Sequence, residues 1–257
     1  MSKPYVLGID IGGTNTVFGI VDARGQVVAS DSIKTRKHTN FDLYVEDLHT
    51  EVSRLLKLNE AEDKIQGIGI GAPNANYYTG TIDNGVNLPW GNNVALAEKV
   101  SRAFKGIPVA VTNDANAAAI GEMTYGAARG MKDFIMITLG TGVGSGIVIN
   151  GQVVYGHDGF AGELGHVIVK RNNGRICGCG RCGCLEAYAS ATGVARTARE
   201  FLEIRNDPST LRNLDIDSIT SKDVYDAAIT GDKLAKEIFE YTGKIPVSYT
   251  HLTLPTT

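Results

Sequence analysis

Tyr5-Val-Leu-Gly-Ile-Asp-Ile-Gly-Gly-Thr-Asn-Thr-Val-Phe-Gly-Ile-Val21 is the most telling stretch of the chain. Residues 5–10 and 16–21 read as strands, Ile11-Gly-Gly-Thr-Asn15 joins them, and Gln26-Val-Val-Ala29 adds a third strand. The glycine loop therefore sits on a hairpin. A dinucleotide fingerprint and a Walker loop both place their glycines between a strand and a helix, so Rossmann and P-loop readings are disfavoured.

The same arrangement recurs about 130 residues later. Asp133-Phe-Ile-Met-Ile-Thr138 leads into Leu139-Gly-Thr-Gly-Val-Gly-Ser-Gly146 and then Ile147-Val-Ile-Asn-Gly-Gln-Val-Val154, whose tail repeats Gly25-Gln-Val-Val28. An internal duplication leaves such a pair, each half offering backbone N–H groups to an anion. Either loop alone reads equally well as a plain tight turn. Their pairing, with Asp10 heading the first and Thr138 at the matching place in the second, points to nucleotide phosphate, with Asp10 placed to hold Mg²⁺ through water.

Phe41, Val45, Leu48, Val52, Leu55 and Leu56 recur at helical spacing, and residues 93–104 carry a shorter amphipathic stretch. Ile65-Gln-Gly-Ile-Gly-Ile70 and Pro108-Val-Ala-Val-Thr112 read as buried strands, so the first half is βββαβαβ, an α/β layout. After the second of these strands, Asn113-Asp-Ala-Asn-Ala-Ala-Ala-Ile-Gly-Glu122 turns into an alanine-rich helix. Asp114 at its start has two compatible readings. It can cap the helix, worth about 1 kcal/mol, or face the crevice where open α/β sheets bind ligands at the carboxyl ends of their strands.

Glu163, His166, Cys177-Gly-Cys-Gly-Arg-Cys-Gly-Cys184 and Glu186 form a second cluster. Structural zinc takes four thiolate or imidazole donors in a tetrahedron, and this segment offers five, so one is spare. Two disulfides are the alternative, as in a small secreted domain. Met1–Asp10 shows no apolar core or cleavage pattern of a secretory signal, which favours reduced thiols and a cytoplasmic protein.

With 257 residues, 43% hydrophobic content and 31 glycines, the chain can bury one large or two modest cores. A net charge of −3 leaves no electrostatic footprint for nucleic acid, and no apolar run approaches a membrane span. A small-molecule partner fits better. Trp90 reads as a packing anchor rather than a stacking platform, and His38, His49, His157 and His251 as surface or packing residues.

Gly8-Ile-Asp-Ile-Gly-Gly-Thr-Asn15, Asn113-Asp-Ala-Asn-Ala-Ala-Ala119, Leu139-Gly-Thr-Gly-Val-Gly144, Gly162-Glu-Leu-Gly-His166 and Cys177-Gly-Cys-Gly-Arg-Cys-Gly-Cys-Leu-Glu186 together resemble the ROK family of repressors, open reading frames and sugar kinases, in order from residue 5 to about residue 244. The resemblance implies an α/β, duplicated actin-like ATPase (ribonuclease H-like) fold, two lobes around a cleft with a zinc-binding loop. The N-terminal lobe would span residues 1–113 and the C-terminal lobe 114–244. The implied activity is ATP-dependent phosphorylation of a hexose, glucose first, with Asp114 as general base. N-acetylmannosamine or fructose kinases and a non-catalytic sugar sensor are the alternatives.

Residue by residue, the resemblance implies that Asn87, Asn113, Asp114, Glu163, His166 and Glu186 bind the sugar. Asp10, Gly12, Gly13 and Thr14 with Gly140, Thr141 and Gly142 would hold ATP and Mg²⁺, and His166, Cys177, Cys179 and Cys184 a structural Zn²⁺, leaving Cys182 as the spare thiol. A homodimer or homotetramer without nucleic-acid or membrane partners is implied as well. There are two departures. Asn74 stands where the family's sugar loop commonly has glycine after its proline. Beyond Leu234-Ala-Lys-Glu-Ile-Phe-Glu-Tyr241 the family's adenosine loop and closing helix are not recognisable, and residues 245–257, without Asp, Glu, Lys or Arg and without helical period, read as a foreign tail on a truncated frame.

Overall fold

The computed structural model describes residues 4–83, 85, 88–91 and 93–250, excepting the side chains of 248–250. The chain forms two compact units, one built from the residues through Met136 together with Gly146–Gly162, the other from Ile137–Ser145 and the chain from Glu163 onward.

The first unit holds β1 (Tyr5–Ile11), β2 (Asn15–Asp22), β3 (Val27–Lys34), α1 (Phe41–Leu58), β4 (Ile65–Gly71), α2 (Leu96–Ala103), β5 (Val109–Thr112) and α3 (Asp114–Tyr125). This is the βββαβαβ order expected, followed by the alanine-rich helix. The sheet order is β3-β2-β1-β4-β5, with β1–β2 and β2–β3 antiparallel and the rest parallel. Period-two alternation sends Leu7, Ile9, Ile11, Phe18 and Ile20 into a core with Tyr44, Leu48 and Val52 of α1, each large side chain contributing about 1.5–3 kcal/mol by burial. Asn40 starts α1 by accepting from the N–H groups of Asp42 and Leu43.

Two polar features sit in that core. Thr16 Oγ1 lies 2.9 Å from both Thr35 Oγ1 and Tyr44 Oη, a closed hydroxyl triad, and burial raises the Tyr44 phenol well above its ordinary pKa. Trp90 packs on Tyr44 and Phe41 at ring distances of 4.2 and 5.0 Å, and its indole N–H donates to the His38 carbonyl. It is a packing anchor, as expected.

On the opposite sheet face stand Gly8, Asp10, Gly19, Gly69 and Gly71. A Cβ on Gly71 would lie 3.2 Å from Ala117 Cβ. That close approach lets α3 pack directly on β4 within the first unit.

The repeat continues in β6 (Phe134–Leu139), β7 (Val143–Ile149) and β8 (Gln152–Val153), a three-stranded sheet in the order β6-β7-β8. The second unit contains α4 (Glu186–Ala189), α5 (Ala191–Ile204), α6 (Ser221–Ile229) and α7 (Lys233–Thr250). Val194, Ala198, Leu202, Val224, Leu234 and Ile238 form its helical core, and Thr220 with Asp223 closes a capping box before α6.

One expectation fails in α7. The sequence beyond residue 244 shows no helical period and contains Pro246, yet the helix continues to Thr250. Proline removes one backbone donor, but Ile245 packs against Val143, Leu185 and Ala189, and this tertiary contact outweighs the local penalty.

Candidate active site and metal centre

The first glycine loop is a tight hairpin turn. Gly12 N–H donates to Asn15 O at 2.9 Å, a Gly12 Cβ would stand 3.0 Å from that same oxygen, and Arg36 Nε holds the Gly13 carbonyl at 2.8 Å. Thr35 N–H donates to Thr14 O. The loop is thus fastened to the segment carrying the buried Thr35 hydroxyl.

Asp10, the penultimate residue of β1, lies beside Gly71 in the parallel register. At the carboxyl end of β5, Asn113 is the N-cap of α3, its Oδ1 accepting from Ala115 N–H at 2.9 Å. The cap role weighed for Asp114 therefore falls to its neighbour. Asp114 occupies the first helical position, exposed, with Oδ1 2.8 Å from the Ala115 nitrogen. Desolvation first and the Asp114 carboxylate second push the Asp10 carboxyl above its ordinary pKa. Asp10, Asp114, Thr112, Gly71, Tyr77 and Tyr155 line one pocket of about 720 Å³.

Asn74 has φ of +56°. Asparagine tolerates that left-handed conformation better than most residues, so the turn forms here without a glycine. Asn87 lies outside the described residues, as does His251.

In the second unit the loop over residues 140–142 is pinned by the start of α5: Ala191 N–H donates to Gly140 O at 2.8 Å. Glu186 Oε2 accepts from Val143 N–H at 3.0 Å, and a Cβ on Gly142 would meet that oxygen at 2.6 Å. A side chain at Gly142 would push this carboxylate away from its place. The other oxygen of Glu186 lies 3.6 Å from Cys177 Sγ. Glu163 caps a 3₁₀ turn, Leu164–His166, and with His166, Arg171, Arg181 and Cys182 lines a separate depression.

The ligand atoms of His166, Cys177, Cys179 and Cys184 all lie within 4.8 Å of one another. Cys179 and Cys184 sulfurs are 3.6 Å apart, and Cys177 Sγ is 3.7 Å from His166 Nδ1. Zn–S bonds of about 2.3 Å in a tetrahedron would place sulfurs about 3.8 Å apart, so the four donors fit Zn²⁺. The cysteines are free thiols rather than two disulfides, and Cys182 stands outside the cluster. Burial pushes the Cys177 thiol up to about 12 and raises Cys184, whereas the Arg181 backbone N–H lowers Cys179 to about 7. A cation bound among these sulfurs would favour their thiolate forms.

Gly183 makes the knuckle possible. Its φ is +83°, its N–H donates to Arg175 O at 2.8 Å, and a Cβ would lie 1.9 Å from Lys170 O. Gly183→Ala is expected to cost about 3 kcal/mol or more and to lower bound metal per chain. Thermal unfolding and elemental analysis check this, and a variant of unchanged melting temperature and metal content would overturn it.

Sequence reasoning passed over Arg175. It is 6% exposed, pairs with Glu200 through Nε and Nη2, donates to the Ala187 and Gly193 carbonyls and to Thr197, and stacks over Tyr188. No local pattern signals it, because every partner comes from α4 and α5. Asn76, also buried, was missed for the same reason. The remaining histidines behave as expected: His157 is exposed, and His49 packs on Phe104.

Two strand, glycine-loop, strand repeats, an aspartate at the β5–α3 junction and a knuckle of four Cys/His donors define a duplicated actin-like ATPase fold with a candidate metal-binding loop. Residues 6–247 match the ROK family, and this chain belongs to that family. The match runs three residues into the segment expected to be foreign. A glucokinase from Halalkalibacterium halodurans is 38% identical over 244 residues, covering 94% of this chain and 73% of that protein. The structure of a ROK family glucokinase from Streptomyces griseus in complex with glucose and AMPPNP is similar with a TM-score of 0.75 and 33% identity, covering 93% of this chain and 76% of that one. A xylose repressor from Caldicellulosiruptor bescii is 28% identical over 250 residues, covering 96% and 62%. Among the described residues no helix is long and apolar enough to cross a membrane.

Proposed function

We propose that this protein is an ATP-dependent hexose kinase, with glucose as the first candidate substrate and glucose 6-phosphate as its product. The observation that carries the reading is the exposed Asp114 carboxylate at the carboxyl end of β5, sharing a pocket with the perturbed Asp10. Similarity to glucokinases over most of the chain supports it.

Asp114 takes the proton of the sugar's primary hydroxyl as that oxygen bonds to the γ-phosphorus of ATP, the bond to the β–γ bridging oxygen breaks, and ADP leaves. Asn113, with its carbonyl oxygen engaged in the cap, has its side-chain N–H groups to donate to a neighbouring hydroxyl. Gly12, Gly13 and Thr14 hold one part of the triphosphate, and Gly140, Thr141 and Gly142 another. Asp10 would hold Mg²⁺, a cation that would offset phosphate charge. Desolvation and a second carboxylate disfavour ionised Asp10 in the free protein, so cation binding at Asp10 relieves that penalty.

Glu163, His166 and Glu186 are proposed as sugar ligands. His166 with Cys177, Cys179 and Cys184 would hold structural zinc, which supplies rigidity rather than a reactive water because four protein donors leave no open position. The reading also carries a cytoplasmic location.

A coupled assay of ADP release with glucose, N-acetylmannosamine and fructose tests this. Glucose-dependent release is expected to exceed the others. Sugar binding without sugar-dependent ADP release would instead favour a non-catalytic sensor, the reading that similarity to a xylose repressor keeps in view.

A further inference from the structure

Three tyrosines from two distant segments form an exposed aromatic cluster in the first unit. Tyr77 and Tyr155 stack face to face, with centroids 4.1 Å apart and planes within 4°, and Tyr78 meets them edge-on at 5.7 and 6.1 Å. Tyr77 is 48% and Tyr78 58% exposed.

The cluster is held rigidly. Tyr78 Oη donates to the Gly156 carbonyl at 2.9 Å. Asn76, only 5% exposed, donates from Nδ2 to Asp158 O at 2.9 Å and to Asp83 Oδ2 at 3.2 Å, while its Oδ1 accepts from Tyr78 N–H at 3.0 Å. Gly159 has φ of +90°, and a Cβ there would stand 2.7 Å from Asn76 Oδ1. A buried amide thus clamps the turn carrying Tyr77 and Tyr78 to the segment carrying Tyr155. Ordered aromatic rings bind a ligand at small entropic cost.

Tyr77 and Tyr155 line the same pocket as Asp114, Asp10 and Gly71. We infer that the stacked Tyr77–Tyr155 pair is a sugar platform: it seats the C–H face of an aldopyranose ring and selects pyranoses over furanoses. The face of an aromatic ring is electron-rich, and the axial C–H bonds of a gluco-configured pyranose, polarised by adjacent oxygens, present a matching positive surface. A furanose offers a smaller and less even one. The inference rests on the proposed kinase reading for the class of ligand, and it adds a determinant of specificity to that site.

Calorimetric titration of the full chain with glucose and with a methyl fructofuranoside, whose five-membered ring cannot convert to a pyranose, tests the platform apart from chemistry. Tyr77→Ala is expected to weaken glucose binding about tenfold and to lower the preference for glucose over the furanoside, with ATP affinity unchanged. Tyr77→Phe keeps the ring and should stay within about twofold of wild type. Tyr155→Leu, which spares the turn bearing Asn76, should move in the same direction as Tyr77→Ala. Unchanged glucose affinity and preference in Tyr77→Ala and Tyr155→Leu would overturn the platform, and so would a wild-type chain that binds no hexose. Glucose bound but never phosphorylated would refute the kinase reading and leave the platform standing.

Discussion

Asp114→Asn is expected to lower the rate of glucose phosphorylation by roughly 10³-fold, within the range for loss of a positioned general base, while glucose affinity stays within about threefold of wild type. The argument is geometric. Asp114 opens α3 at the end of β5, and its Oδ1 lies near the Ala115 nitrogen. Asparagine keeps an oxygen at that place, so the local fold survives. Loss of the negative charge from the first helical turn costs about 0.3–1 kcal/mol, too little to unfold the unit. What disappears is the carboxylate that accepts a proton in the transition state. Steady-state kinetics with calorimetric glucose binding would separate the two effects. Retention of more than about a tenth of wild-type kcat would remove Asp114 from the base role.

Stripping the metal is expected to have the second large effect. The wild-type chain should carry one zinc, and Cys184→Ser or prolonged chelation should remove it and lower the melting temperature by on the order of 10 °C. The donors His166, Cys177, Cys179 and Cys184 converge at the tip of the knuckle. Its base is held independently by Arg175 through Glu200 and Thr197. Metal loss should therefore loosen the tip without detaching the segment, and hydrogen exchange at residues 176–184 should rise before exchange in α5. Cys182→Ser provides the contrast: its thiol lies outside the cluster, so zinc content and melting temperature should match wild type. A stripped chain with unaltered melting temperature would show that the knuckle does not depend on a cation.

Much of this was legible because the relevant forces are local. The β1–β2 hairpin follows from its apolar strands and glycine turn, α1 from its repeating apolar positions, and the metal knuckle from donors packed within a short loop. What escaped depended on distant partners. α7 continues through Pro246 because Ile245 meets Val143 and Leu185. The close seating of α3 on β4 depends on Gly71 meeting Ala117, residues far apart in the chain. Arg175 reads in sequence as one more surface charge, and only α4 and α5 together make it a buried hub. The tyrosine cluster needs residues 77 and 155 brought side by side, which neither segment announces.

Glu186 joins two of these features. With one oxygen on the Val143 amide and the other beside Cys177, it yokes the glycine turn over residues 140–142 to the thiol knuckle. A molecule that tugs this carboxylate toward itself must drag both neighbours, so whatever stiffens either one also sets how freely the other can yield.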